Sequence, residues 1–175
     1  EGRPLDLDAC LKEFVMEAPN LQRILKHAEW DTPARLINGY SANVKALHGP
    51  GFALLGNAAE FLDPVFSSGV TIAMRSASMA AAVLHRQLSG ESVDWDSEFA
   101  TPLKRGVETF RAYVEGWYDG SFQDVIYYER AQPEIRRMIC SILAGYAWDN
   151  RNPYVAEPRR RLRVLAELCA TPTPA

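Results

Sequence analysis

The sequence predicts a mostly α-helical chain with a small β component, and three observations carry that reading. A long segment of helix formers and small residues runs from about Val70 to Leu88 and stops at Ser89-Gly90. Beyond Gly90, apolar residues recur at helical spacing through most of the remaining chain. Strand-like patterns are confined to the stretch between Arg35 and Gly56.

Taken in order, Asp6 to His27 reads as helical, with Asp6 or Asp8 as cap and Leu7, Leu11 and Phe14/Val15 on one face. Pro19 breaks it, and the second helix runs from Asn20 to about Trp30 with Leu21, Ile24 and Leu25 inward. Asp31-Thr32-Pro33 ends that helix. Tyr40, Ala42, Val44 and Ala46 then alternate as in a half-buried strand. His48-Gly49-Pro50-Gly51 turns the chain into the apolar run Phe52 to Leu55, closed by Gly56, which reads as a strand buried on both faces. Two strands make no stable sheet alone, so partner strands are expected outside this chain or in another copy of it.

After Gly90, Leu103, Val107, Phe110, Val114 and Trp117 form one apolar stripe entered through Pro102, with Gly116 and Gly120 loosening its end. Phe122, Val125, Ile126 and Tyr127/Tyr128 mark a short helix. Gln132-Pro133-Glu134 opens another, with Ile135, Met138/Ile139, Ile142 and Tyr146 inward. Asn150 to Pro153 is a loop. Glu157-Pro158 opens a basic last helix (Arg159, Arg160, Arg161, Arg163) that turns Leu162, Val164/Leu165 and Leu168 the other way. The Thr-Pro-Thr-Pro tail is expected to be mobile.

Composition bounds the function. With 47% hydrophobic and 23% charged residues the 175-residue chain can bury a core, and a net charge of −3 gives it no electrostatic reason to seek nucleic acid. No apolar run approaches the ~20 residues that span a bilayer. There is no signal-peptide pattern, and Glu1-Gly2-Arg3 reads as a cut inside a longer protein. Cys10, Cys140 and Cys169 lie far apart and read as buried or half-buried reduced thiols, which suits a cytoplasmic protein. His27, His48 and His85 show no ligand spacing, so no metal site is expected.

The chemistry gathers in the loop before the long helix. Ser67, Ser68 and Gly69 fall where a helix N-terminus leaves backbone N–H groups without intrahelical partners and collects partial positive charge. Gly69 permits close approach of another group, so strand, loop and helix start together make an anion-binding pocket. Within the helix, Gly69, Ala73, Ser76/Ala77 and Ala80/Ala81 form a stripe small enough for close contact with a sheet or a flat ligand.

The run Gly56-Asn57-Ala58-Ala59-Glu60-Phe61-Leu62-Asp63-Pro64-Val65-Phe66-Ser67-Ser68-Gly69-Val70 resembles the second flavin-binding motif of FAD-dependent halogenases, members of the two-motif flavoprotein class that includes the aromatic hydroxylases. The resemblance covers about Arg35 to Gly90. It implies the C-terminal part of a FAD-binding α/β flavoprotein over residues 1–90, followed by a helical C-terminal subdomain over 91–175. Two departures stand out. Asn57 occupies a position usually held by Asp, and can meet a ribityl hydroxyl only as a neutral amide. Phe66-Ser67-Ser68-Gly69 replaces the Glu-Ser-Thr-Gly of tryptophan halogenases and looks more like the halogenases of phenols and pyrroles, which often act on carrier-tethered substrates.

By this resemblance the cofactor is FAD, and Gly56, Asn57, Asp63, Pro64, Ser67, Ser68, Gly69 and Val70 are its binding residues. Gly56 and Asn57 hold the ribityl chain, and the start of the long helix faces the pyrimidine end of the flavin. The Ser68 and Gly69 N–H groups serve halide. Partners are a small aromatic substrate, on an acyl carrier protein in some of these enzymes, and a flavin reductase supplying reduced FAD. The catalytic Lys, the Trp-rich motif and the Gly-x-Gly-x-x-Gly ADP site of such enzymes are not in this sequence. The chain alone is therefore expected to carry no catalytic residue and to bind FAD weakly or not at all.

Other readings stay open on the residues. The full-length enzyme can be a flavin hydroxylase or reductase without halide chemistry, and the chain can be a non-catalytic helical interaction module. Ser67-Ser68-Gly69 alone reads better as the start of an ordinary capped helix with no ligand, and Asp63 before Pro64 as a structural turn residue. The aromatics Phe110, Tyr113, Trp117, Tyr118, Phe122, Tyr127, Tyr128 and Trp148 read chiefly as core, with an aromatic-substrate pocket as the alternative. Arg159 to Arg163 reads as a solvated face, with an acidic carrier as the alternative partner.

Overall fold

The computed structural model describes residues 6–130 and 132–170. The expectations for Glu1-Gly2-Arg3 and for the Thr-Pro-Thr-Pro tail lie outside these residues. The chain divides into two compact units, Glu1–Tyr40 and Ser41–Ala175.

In the first unit, α1 (Leu7–Glu17) starts at Asp6, whose carboxylate accepts from the Ala9 N–H at 3.0 Å. Pro19 breaks the helix as its fixed φ requires, and α2 (Pro19–Ile24) follows directly. It ends well before Trp30, earlier than the sequence suggests. Neither helix contains a buried residue, and Leu21 and Ile24, expected inward, are exposed. Apolar spacing proposed a face that this unit has too little material to cover.

The second unit is helical around two minimal β-pairs. β1 (Ala42–Asn43) pairs antiparallel with β4 (Glu60–Phe61), and β2 (His48–Gly49) with β3 (Phe52–Ala53). The second pair is the turn the sequence announces, with Gly51 at φ 81°. The Phe52 ring lies over Gly49, where an added Cβ would come within 2.5 Å of it. The expected doubly buried strand is not there. Phe52 is 49% and Leu55 38% exposed, because among the described residues β3 pairs along one edge only. The expected longer strand before it shrinks likewise to exposed Ala42–Asn43.

The 21-residue α3 (Ser68–Leu88) ends at Ser89-Gly90, with Gly90 at φ 87°. Its buried residues, Ser68, Ile72, Ser76, Ala80 and Val83, follow a 3.6-residue period. A π-turn, Asp96–Ala100, leads into α4 (Thr101–Tyr118), whose predicted stripe is the central core: Leu103, Val107, Phe110 and Val114 are buried. α5 (Ser121–Tyr127) and α8 (Pro158–Cys169) pack on α4, with α6 (Pro133–Leu143) and the short α7 (Pro153–Ala156) between them in sequence. Asn152 caps α7, accepting from the Tyr154 N–H at 3.0 Å while its amide donates to the Met138 carbonyl at 2.9 Å.

Most of the aromatics are core, as read. Tyr113, Phe110 and Phe122 are at most 1% exposed, and Tyr113 and Phe122 meet edge-to-face at 4.9 Å. Tyr118, Tyr127 and Tyr146 are exposed, the last against expectation, because Gly145 at φ 103° ends the helical stripe before it. Val164 and Leu168 also face out: α8 buries Leu162, Leu165, Ala166 and Cys169 instead, a face rotated by one residue. Three of the four arginines of α8 are ion-paired, Arg159 with Glu115 and Glu108, Arg160 and Arg161 with Glu157. Cys140 is exposed rather than half-buried, and Cys169 is buried. Among the described residues no helix is long and apolar enough to cross a membrane, and no cluster of His, Cys, Asp and Glu is placed to hold a metal ion.

Candidate functional site

A cleft of about 410 Å³ opens at the first turn of α3, lined by Asn57, Glu60 to Pro64, Ser67 to Val70, Ile72 and Ala73. Of the eight residues singled out from the sequence, Asn57, Asp63, Pro64, Ser67, Ser68, Gly69 and Val70 line it, and Gly56 stands behind its wall.

Gly56 opens a single 3₁₀ turn, Gly56–Ala58, in the left-handed region at φ 53°. A Cβ here would meet the Ala73 Cβ at 3.0 Å, so loop and helix touch backbone to methyl. The Gly56 N–H donates to Ser76 Oγ at 3.0 Å, and Ser76 Oγ donates to the Ala73 carbonyl at 3.0 Å. This is the use of the small stripe. It draws the Gly56-Asn57 corner against α3, and a Cβ added at Gly69 would sit 3.5 Å from Asn57 Oδ1.

The opposite wall is set by Asp63. Its carboxylate accepts from the Val65 N–H at 2.8 Å, capping the 3₁₀ turn Pro64–Phe66, and from the Tyr118 hydroxyl at 2.9 Å. Phe66 then turns inward onto Phe122 and Trp117, with ring centroids at 5.6 and 5.7 Å. With Phe66 pinned, Ser67 is the residue that reverses the chain, at φ 52° and ψ 33°. Among the described residues it is the one non-glycine with positive φ, a conformation costing about 1–2 kcal/mol for such a residue. No side chain caps α3 in this geometry. The capping expected of this Ser pair is absent because left-handed Ser67 leaves the extended conformation that capping uses.

The site is therefore the start of a 21-residue helix with its end uncapped and facing a cleft. First-turn N–H groups and the helix dipole make that end positive. Glu60, the acidic residue lining the cleft beside Asp63, is neutralised by an ion pair to Arg111 of α4. Partial burial pulls the Arg111 guanidinium down, but the hydrogen bond and charge of Glu60 outweigh it and hold it above its ordinary value. The arrangement can receive the edge of a flat, electron-rich group. Gly69 leaves the space, and the amide of Asn57 and the helix N–H groups supply the polar contacts.

Sequence reasoning missed Tyr118 and the bond of Ser76 to Gly56. Ser76 was visible as a small residue on the stripe, while the Tyr118 contact joins positions 55 residues apart that no pattern connects.

No family model matches the chain. It is 26% identical over 166 residues to a 1H-pyrrole-2-carbonyl-[peptidyl-carrier protein] chlorinase of Pseudomonas fluorescens, covering 91% of this chain and 36% of the relative. It is 28% identical over 152 residues to a 1H-pyrrole-2-carbonyl-[peptidyl-carrier protein] brominase of Pseudoalteromonas luteoviolacea, covering 78% of this chain and 34% of the relative. The chain thus spans about a third of the length of these curated relatives. The crystal structure of a flavoprotein/dehydrogenase from Cytophaga hutchinsonii superposes with a TM-score of 0.85 at 38% identity, over 95% of this chain and 41% of that one. The chain is thus similar in sequence to part of the flavin-dependent halogenases and in fold to part of a flavoprotein/dehydrogenase.

Proposed function

We propose that residues 1–90 contribute to the FAD site of a halogenase-like oxidoreductase and that 91–175 form the helical subdomain supporting it. The observation that carries this reading is the coincidence of the cleft with the motif residues at the uncapped start of α3. FAD, when bound, supplies the oxidising chemistry. In this chain, Asn57 would hold a ribityl hydroxyl through its amide, with Gly56 shaping the corner. The Ser68, Gly69 and Val70 N–H groups and the dipole of α3 would face the pyrimidine edge, favouring a reduced flavin that carries negative charge. The N–H groups of Ser68 and Gly69 are also the proposed donors to halide. Asp63 and Pro64 would fix the loop at the distance the ring needs.

For substrate, the carrier-bound pyrroles named for the two relatives suggest a small aromatic acyl group on a carrier protein, with a flavin reductase as the source of reduced FAD. A second reading is favoured by the Cytophaga flavoprotein/dehydrogenase, the more nearly identical over almost the whole chain. In that reading the same flavin site would serve a reaction without halide.

Titration of FAD into the full-length protein, with Asn57→Ala and Gly69→Leu beside the parent, tests the flavin site. At least a tenfold loss of affinity in both variants is expected, and unchanged affinity would refute the assignment. Chloride- and bromide-dependent turnover of a pyrrolyl carrier substrate separates the two reactions.

A further inference from the structure

A second cleft, of about 330 Å³, lies along another side of the first half of α3, where Thr71 and Arg75 face the turn after α6: Gly145, Tyr146, Trp148, Asp149 and Arg151. Its chemistry differs from that of the first. The Arg75 guanidinium lies 5.8 Å from the centroid of the Trp148 ring, and among the described residues it has no carboxylate partner. Trp148 is itself fixed, donating from Nε1 to the Pro102 carbonyl at 2.9 Å and meeting Phe110 edge-to-face at 6.2 Å. The platform beside Arg75 is thus fixed, and the exposed guanidinium sits within cation–π range of the indole. Arg151 is different, because its head is held by Asp149 at 2.9 Å. The cleft therefore carries one positive charge in excess. Tyr146, 65% exposed, stands at its rim with nothing in the core to do.

We propose that this cleft binds a phosphate ester of a slender organic ligand, with the phosphate on Arg75 and the organic body against Tyr146. An unpaired guanidinium can meet phosphate oxygens bidentately through its N–H fork. Two sources share that chemistry: the phosphopantetheine arm of a carrier protein, or a free phosphorylated metabolite. The first rests on the carrier-tethered substrate reading above. The anion site itself does not, and it shares no lining residue with the flavin cleft.

The test is calorimetric titration of the full-length protein with 4′-phosphopantetheine, pantetheine and inorganic phosphate. Saturable binding of 4′-phosphopantetheine is expected, at least tenfold tighter than pantetheine. Arg75→Ala should weaken it tenfold or more, Arg75→Lys less, and Tyr146→Ala about threefold or more. Met74→Ala, on the exposed face of the same helix, should change nothing, and circular dichroism confirms that each variant folds. Inorganic phosphate binding as tightly, with the same dependence on Arg75, upholds the phosphate site and assigns it to a free phosphorylated ligand. No saturable binding of either phosphate compound, or binding indifferent to Arg75→Ala, overturns the proposal. Loss of flavin binding in Gly69→Leu with phosphopantetheine binding intact would show that the two sites stand independently.

Discussion

The backbone N–H of Gly56 is satisfied by the side chain of Ser76, 3.0 Å away and on the third turn of α3. That one bond ties the loop of the candidate flavin site to the helix whose N-terminus faces it. Ser76 is fully buried, and its hydroxyl donates in turn to the Ala73 carbonyl. Ser76→Ala would leave a buried N–H without a partner, which costs about 1–3 kcal/mol. Denaturant unfolding should show that loss. The corner at Asn57 should also lose register, so the full-length protein should bind flavin more weakly. Ser76→Thr keeps the hydroxyl but adds a methyl at a fully buried position of the small-residue stripe, and should not restore stability.

Phe66 anchors the other side of the same site. Its edge-to-face contacts with Trp117 and Phe122 fix where the chain must reverse, and Ser67 absorbs the reversal in the left-handed region. Phe66→Ala should destabilise the chain by about 3 kcal/mol, on the scale of core aromatic deletions. Ser67→Gly should do the reverse, adding up to about 1 kcal/mol, because glycine adopts this φ without steric cost. Paired thermal melts of the two variants against the parent check both signs. A destabilised Ser67→Gly would mean that the Ser67 side chain contributes more than its backbone costs.

How much of this was legible in the sequence depends on the range of the interaction. α3 and the stripe of α4 could be read because the 3.6-residue period and the Gly90 stop are local. Most residues lining the candidate cleft could be read because they fall in one short run, Asn57 to Val70. What escaped was set by distant partners. Phe52 and Leu55 have the composition of a buried strand, but burial needs covering layers that an apolar run does not itself supply. Tyr118 looked like one more aromatic on a helical stripe, yet it points off that stripe to Asp63. His48 showed no partner in sequence, and it pairs with Asp96 at 3.1 Å because the hairpin folds beside the π-turn. The cleft at Arg75 was invisible for the same reason, since Trp148 lies far along the chain.

Gly106 is the closest-packed glycine of the helical unit. A Cβ there would fall 2.0 Å from Trp148 Cε2, so α4 is in contact with the indole face through bare backbone. Gly106→Ala gains helix propensity of about 1 kcal/mol, but it must push out an indole that also bonds Pro102. Overpacking of this kind costs about 1–3 kcal/mol, and the net sign should be destabilising. The variant should also loosen the Arg75 platform, so its binding of 4′-phosphopantetheine should fall alongside its stability. Stability falling while that affinity holds would show that Trp148 moves without carrying Arg75.

Tyr113 makes the chain sensitive to alkali. It is fully buried against Phe122, and its hydroxyl donates to the Tyr154 carbonyl at 3.3 Å. Burial first, and the neighbouring Tyr154 second, push its ionisation far above the ordinary tyrosine value of 10.0. In the unfolded chain the phenol ionises near pH 10, while the folded chain keeps it neutral. The unfolded state therefore binds fewer protons above that pH, and stability falls as pH rises. The contribution is complete below about pH 10 and declines by about 1.4 kcal/mol per unit above it. Tyr113→Phe should remove this slope at the cost of one long hydrogen bond, about 0.5–1.5 kcal/mol at neutral pH. The two stability curves should therefore converge, and then cross, between about pH 10 and 11.5. Urea unfolding of both proteins from pH 8 to 11.5 checks this. Parallel curves would mean that Tyr113 ionises in the folded chain as freely as in the unfolded one.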